Sequence, residues 1–154
     1  MVGVVWLAVW MDLFSRKITG WQFLGNMKED LVVQAFKKSL GNRNAGKDLI
    51  VHSDRGGQYA GNIFRGLLIG HELLQSMSGA DNPYDNAFME SYFSRFKAEL
   101  LQGGTFDGLE NARKKIFEFI EMYYNPVRRH SSLGYISPMA FERQMSYQQK
   151  QESG

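Results

Sequence analysis

Two acidic residues stand where metal-assisted chemistry would want them. Asp54 ends the apolar run Leu49-Ile50-Val51-His52-Ser53 and is followed at once by Arg55-Gly56-Gly57. That pattern reads as the carboxyl end of a buried strand, the place where α/β folds gather their ligand sites. Glu90 falls in a helical stretch that follows Asp81-Asn82-Pro83, and Phe93 and Lys97 share its face three and seven residues on. Thirty-five residues separate the two carboxylates. Carboxylate oxygens suit Mg²⁺ or Mn²⁺, hard ions that take oxygen ligands. Two such ions, about 3.5–4 Å apart, activate an attacking oxygen and stabilise a leaving one, the logic of phosphodiester cleavage and transfer. Residue type and spacing alone leave the ordinary reading open. A strand-end Asp before Arg-Gly-Gly also forms turns, and a mid-helix Glu is usually solvated.

The elements that must position this pair can be read from apolar periodicity. Val2 to Met11 is rich in Val and Trp and reads as a buried strand. Asp12-Leu13-Phe14-Ser15-Arg16 supplies turn chemistry, and Lys17 to Leu24 completes a hairpin. Leu31, Val32, Ala35, Phe36 and Leu40 form a helical stripe over 29–40. Gly41 to Lys47 is a loop, and Asn62 to Ile69 a helix. Glu72 to Met77 is a short strand, and Ser78 to Pro83 another loop. A helix then runs from Tyr84 to Leu101, with Phe88, Tyr92 and Phe96 as its core residues. Asp107 and Glu110 have capping-box spacing. They introduce a helix with Leu109, Ala112, Ile116, Ile120 and Tyr123 on one face, stopped by Asn125-Pro126. Ser137-Pro138 starts a short helix, Ser as N-cap and Pro at its first position. The core is expected over 1–145, with 146–154 a frayed polar tail. The order is that of a mixed α/β domain.

Composition narrows the class. The 154 residues suffice for one domain with its own core, and 44% apolar with 22% charged is an ordinary globular balance. A net charge of +2 permits a nucleic-acid partner without demanding one. With no cysteine, disulfides and thiolate metal sites are excluded. The apolar run Val4 to Met11 is too short to span a bilayer and is closed by Asp12, so no membrane association is expected and the default compartment is cytoplasmic.

The words around the carboxylates are more specific than their spacing. His52-Ser53-Asp54-Arg55-Gly56-Gly57-Gln58-Tyr59 resembles the second-carboxylate motif of insertion-sequence transposases of the OrfB type. Asp81-Asn82-Pro83-Tyr84-Asp85-Asn86-Ala87-Phe88-Met89-Glu90-Ser91-Tyr92-Phe93 resembles their glutamate motif. Tyr124-Asn125, then Arg128-Arg129-His130-Ser131-Ser132-Leu133-Gly134-Tyr135 and Ser137-Pro138, resembles their C-terminal signature, and Asp12 to Ile18 resembles the turn between their second and third strands. The likeness runs from about Trp6 to Glu142 in order and spacing. It implies a ribonuclease-H-like mixed sheet flanked by helices and a DDE metal site of the retroviral-integrase type, with Asp54 and Glu90 as catalytic ligands of Mg²⁺ or Mn²⁺. In such enzymes water attacks a phosphodiester at the transposon end, and the freed 3′ hydroxyl then attacks target DNA. The implied partners are transposon-end and target DNA, a multimer of the same chain on paired ends, and a separate or upstream helix-turn-helix segment for end recognition. The implied place is the bacterial cytoplasm, on the nucleoid when DNA is bound.

The family's first aspartate belongs to a strand before the one that runs into Asp12, and no acidic residue precedes Asp12 here. The first strand is therefore expected to be missing, Asp12 to serve the turn rather than a metal, and the chain alone to be weak or inactive in strand transfer. The rival reading is a non-catalytic remnant that binds DNA or an intact transposase. By resemblance Lys97 contacts end DNA, the alternative being a plain surface lysine. Arg128, Arg129 and His130 make a basic cluster beside Tyr123, Tyr124 and Tyr135, suited either to phosphates or to a solvated helix C-terminus. Arg113, Lys114 and Lys115, interspersed with glutamates, read as a wet helix face. His52 reads as a buried, hydrogen-bonded residue, with a place near the metals as the alternative, and Asn86 as a cap or positioner of the glutamate helix.

Overall fold

The computed structural model describes residues 6–24, 29–43, 50–53, 62–72, 74–77, 83–102 and 104–153. Strands β1 (Trp6–Met11) and β2 (Ile18–Leu24) form an antiparallel hairpin. Helix α1 (Glu29–Asn42) follows. Strand β3 (Ile50–Ser53) pairs in parallel with β4 (Leu74–Met77), and α2 (Asn62–Gly70) lies between them in the chain. Helix α3 (Pro83–Leu100) precedes α4 (Gly108–Phe117), which runs on as a π-helical segment, Glu118–Tyr124. A 3₁₀ turn (Ser131–Leu133) and α5 (Pro138–Ser153) end the order. Among the described residues the strands thus make two two-stranded ladders, one antiparallel and one parallel.

The hairpin is the middle layer, apolar on both faces because helices cover both. Along β1, Leu7, Val9 and Met11 pack towards Phe96, Ala112, Ile116, Ile120 and Tyr124, while Ala8 and Trp10 pack towards α1. Period-two alternation delivers this division. On β2 the parity breaks. Trp21 and Phe23 face the α3–α4 layer as odd residues, yet the even residue Ile18 joins them. The register shifts there, since Trp10 pairs with Gly20 and Met11 with Ile18, leaving Thr19 as the extra residue of a bulge. Thr19 is held on the α1 side: its hydroxyl reaches Ser39 Oγ at 2.6 Å, and its carbonyl accepts from Asn42 Nδ2 at 2.9 Å.

Three sequence expectations differ in the structure. Asp107 occupies the N-cap of α4, but its side chain makes no capping bond. Its N–H donates to Asn111 Oδ1 at 2.8 Å instead, because the chain enters through Gly108 at φ 85°. The buried stripe of that helix is Ala112, Ile116, Ile120 and Tyr124, whereas Leu109 is 56% and Tyr123 42% exposed. The wider π turn, with the Asn125 N–H bonded to the Ile120 carbonyl five residues back, under-rotates the chain by about a residue and swings Tyr124 inward. The last helix is long, since α5 continues through residues 146–153 where a frayed tail was expected. Its start follows the sequence: Ser137 Oγ accepts from the Ala140 N–H at 3.2 Å, with Pro138 in the first position.

Candidate functional site

Strand β3 carries the backbone to Ser53, the residue before Asp54. Asp54 itself lies outside the described residues, as do the side chains of His52, Asn86, Phe88 and Glu90. Glu90 sits in the first half of α3, and Lys97, exposed, lies seven residues further along the same helix. Seven residues is close to two full turns, so the two share a helix face. Of the expected core residues on that helix, Phe96 is buried and Tyr92 half-buried against the same cluster. Burial pushes the Tyr92 phenol up to about 12, against the pull of the Arg128 charge, so it stays protonated.

Asp12 is fully engaged elsewhere. Its Oδ1 accepts from the N–H groups of Phe14 at 2.8 Å and Ser15 at 3.1 Å, closing the turn in which Arg16 takes φ 63°. Its Oδ2 faces Arg43 at 3.6 Å, and Arg43 also pairs with Glu142 on α5. The turn, the end of α1 and α5 are thus tied by one guanidinium, with Phe14 against Phe141 edge-on beside it. Among the described residues no group of three or more His, Cys, Asp or Glu is placed to hold a metal.

The C-terminal signature proves to be a clasp. Tyr124 and Asn125 are almost wholly buried. The Asn125 amide accepts from the Ile18 N–H at 2.9 Å and donates to the Ile18 carbonyl at 3.0 Å, as a neighbouring strand would. Its own carbonyl accepts from the Met139 N–H at 3.0 Å, anchoring α5. Arg128 donates from Nε to both Glu99 oxygens, at 3.0 and 2.8 Å, and from Nη1 to His130 Nδ1 at 3.0 Å. The His130 ring packs edge-on against Tyr124. Gly134 holds φ 78° to end the 3₁₀ turn, and the His130 N–H bonds the Ile136 carbonyl at 3.1 Å. Of the expected basic cluster, then, only Arg129 points to solvent. Arg128 and His130 have internal partners. Sequence reasoning missed Asn125, Arg43 and Glu99 as organisers, since their partners lie 29 to 107 residues away and leave no local signal.

An arginine N–H must donate, so His130 receives through a neutral ring. Burial first, and then the Arg128 charge, hold its pKa down to about 4 against an ordinary 6.5. At pH 7 both folded and unfolded chains carry it neutral. Below 6.5 the unfolded chain takes up a proton that the folded one refuses down to about 4, so stability falls as pH falls through that window. The expected loss between pH 7 and pH 5 is about 1–2 kcal/mol. Urea unfolding at the two pH values measures it. An equal loss in His130→Gln would show that another group is responsible.

Two family models described as integrase core domain match the chain, one over residues 2–83 and one over 71–138. A transposase for insertion sequence element IS904 of Lactococcus lactis is 42% identical over 141 residues, covering 92% of this chain and 56% of its own length. The transposase InsF for insertion sequence IS3A of Escherichia coli is 41% identical over 140 residues, covering 91% of the chain and 49% of its own. The chain therefore spans about half the length of these curated relatives. Among solved structures, a chain of the simian T-cell lymphotropic virus intasome in complex with PP2A regulatory subunit B56 gamma superposes with a TM-score of 0.58 at 15% identity, over 73% of this chain and 41% of that one. This likeness shows the expected α/β, ribonuclease-H-like fold. With its two halves matched in turn by models of one domain, the chain belongs to the integrase core domain family.

Proposed function

We propose that this chain carries the DNA-transfer core of an insertion-sequence transposase, with Asp54 and Glu90 as the ligands of divalent metal. The supporting observation is the likeness to relatives named as transposases across 92% of the chain, a stretch that takes in both carboxylate motifs. Two carboxylates are a donor set for Mg²⁺ or Mn²⁺. When bound, such ions lower the pKa of an attacking hydroxyl and offset charge on the leaving oxygen. The chain's own contribution is placement. Glu90 stands on α3, a helix whose second half is anchored in the core by Phe96. Lys97 on the same face, and Arg129 beyond the clasp, meet phosphates and set the register of the DNA. Arg128 and His130 hold that segment from beneath. The DNA ends, the target and a multimer assembled on them belong to this reading.

One observation favours the rival reading, a chain that binds DNA or an intact transposase without chemistry. Asp12 is held by the N–H groups of Phe14 and Ser15 and by Arg43, so it is not free to serve as a third carboxylate beside Asp54 and Glu90. Calorimetric titration of Mn²⁺, followed by gel shifts on end DNA, tests the proposal. Asp54→Asn and Glu90→Gln are each expected to weaken Mn²⁺ binding about ten-fold or more. Lys97→Ala and Arg129→Ala should each weaken DNA binding and flatten its salt dependence by about one unit of slope. Mn²⁺ affinity unchanged in both carboxylate variants would sink the metal site and leave the rival. Unchanged DNA affinity and slope would remove the two phosphate contacts.

A further inference from the structure

Helix α5 carries a row of side chains that the fold does not use. Met139, Arg143, Tyr147 and Lys150 recur at intervals of four, four and three residues, so they lie along one helix face. All four are exposed, Tyr147 by 64%. Among the described residues neither Arg143 nor Lys150 has an ion pair or a hydrogen bond. The carboxylates of the helix are sorted away from the row. Glu142 is bonded to Arg43, and Glu152, two positions past Lys150, falls on the opposite side. Ser146, on the same face between Arg143 and Lys150, is too small to obstruct it. From Ser146 to Glu152 every residue is exposed, so this half of the helix has no packed side and the row is open along its length.

Two cations flanking an aromatic, on a face without carboxylates, are complementary to a phosphodiester backbone. Arg143 and Lys150 stand seven residues apart, about 10 Å along the helix axis, with the Tyr147 ring between them. The ring decides which form of nucleic acid fits. A duplex hides the faces of its bases inside the stack and would leave Tyr147 without a partner. A single strand bares both kinds of group, phosphates for the two cations and a base for the ring. Met139 continues the apolar part of the row towards the start of the helix.

We propose that the outer face of α5 binds single-stranded nucleic acid, with Arg143 and Lys150 on its phosphates and Tyr147 stacked on a base. This contact needs neither metal nor Asp54 and Glu90, and it is separate from those given to Lys97 and Arg129. Fluorescence anisotropy of the 154-residue chain with a labelled oligothymidylate of about 12 nucleotides tests it. Arg143→Gln and Lys150→Gln should each raise the Kd about three-fold or more and flatten the salt dependence by about 0.7 of a unit of slope. Tyr147→Ala should raise it about five-fold or more, while Tyr147→Phe, which keeps the π face, should stay within about two-fold of the original. Gln148→Glu makes the same change in net charge on the far side of the helix and should also stay within about two-fold. On a blunt duplex Tyr147→Ala should shift the Kd by less than about two-fold. These positions are exposed, so the variants should fold as the original does, and circular dichroism checks this. A chain that does not bind the oligothymidylate overturns the proposal, as does a Tyr147→Ala protein that binds it unchanged. So does a Gln148→Glu loss equal to that of Arg143→Gln, or a Tyr147→Ala loss equal on duplex and single strand. The metal site is read from Mn²⁺ binding to the carboxylate variants and stands or falls apart from these results.

Discussion

Asn125→Ala is expected to destabilise the domain by about 2–5 kcal/mol, among the largest effects of any single substitution outside the carboxylate pair. Asn125 is 2% exposed, and its amide satisfies both the N–H and the carbonyl of Ile18. Alanine leaves both groups buried without a partner, at about 1–3 kcal/mol each. It also opens a space the size of a carboxamide between the hairpin and the end of the π segment. On the edge of β2 away from β1 no strand stands beside Ile18 among the described residues, so the side chain takes the role of one. Asn125→Asp keeps the acceptor and loses the donor, and should fall between the two while adding a buried charge. Urea unfolding followed by Trp fluorescence gives the three values. A loss under about 1 kcal/mol in the alanine variant would mean that water or a shift of Ile18 replaces the amide.

A pair of glycines makes the second prediction, because the same change should act with opposite sign. At Gly20 a Cβ would run into the Ala35 carbonyl, lie 2.5 Å from the Ser39 nitrogen and 2.8 Å from the Ser39 Cβ. Two of these are backbone atoms of α1, so nothing flexible is there to move aside. Gly20→Ala must push α1 off β2 or break the bulge that sets Ile18's parity, and should cost about 3 kcal/mol or more. At Gly41, near the end of α1, a Cβ meets nothing within 4 Å. Gly41→Ala should stabilise by about 0.5–1 kcal/mol through helix propensity and a less free unfolded chain. Thermal or urea midpoints of the two variants settle the signs. A Gly20→Ala protein as stable as the original would show that the approach of α1 to β2 is looser than drawn.

The alternation in β1, the stripe in α1 and the cap at Ser137 were legible because each follows from residues within a few positions of one another. So were the turn at Asp12 and the motif words around residues 54 and 90. The bulge at Thr19 left no such mark, since it depends on Ser39 and Asn42 accepting the extra residue from another element. The capping box failed for a similar reason: spacing proposed Asp107, and the entry angle through Gly108 handed the bond to Asn111.

The basic run Arg128-Arg129-His130 shows the division most clearly. Adjacent in the chain, the three residues look alike to a charge count. In the folded molecule one is clamped by Glu99, one is buried neutral against Tyr124, and one is left to solvent. The amino-acid order by itself determined the family, the α/β class and the two carboxylates worth testing, because short motifs and periodicity are properties of neighbours along the backbone. Only the tertiary structure decided which polar side chains face solvent and which brace the fold. That choice depends on partners as far as 113 residues away, and on a π turn that rotates one aromatic in and its neighbour out.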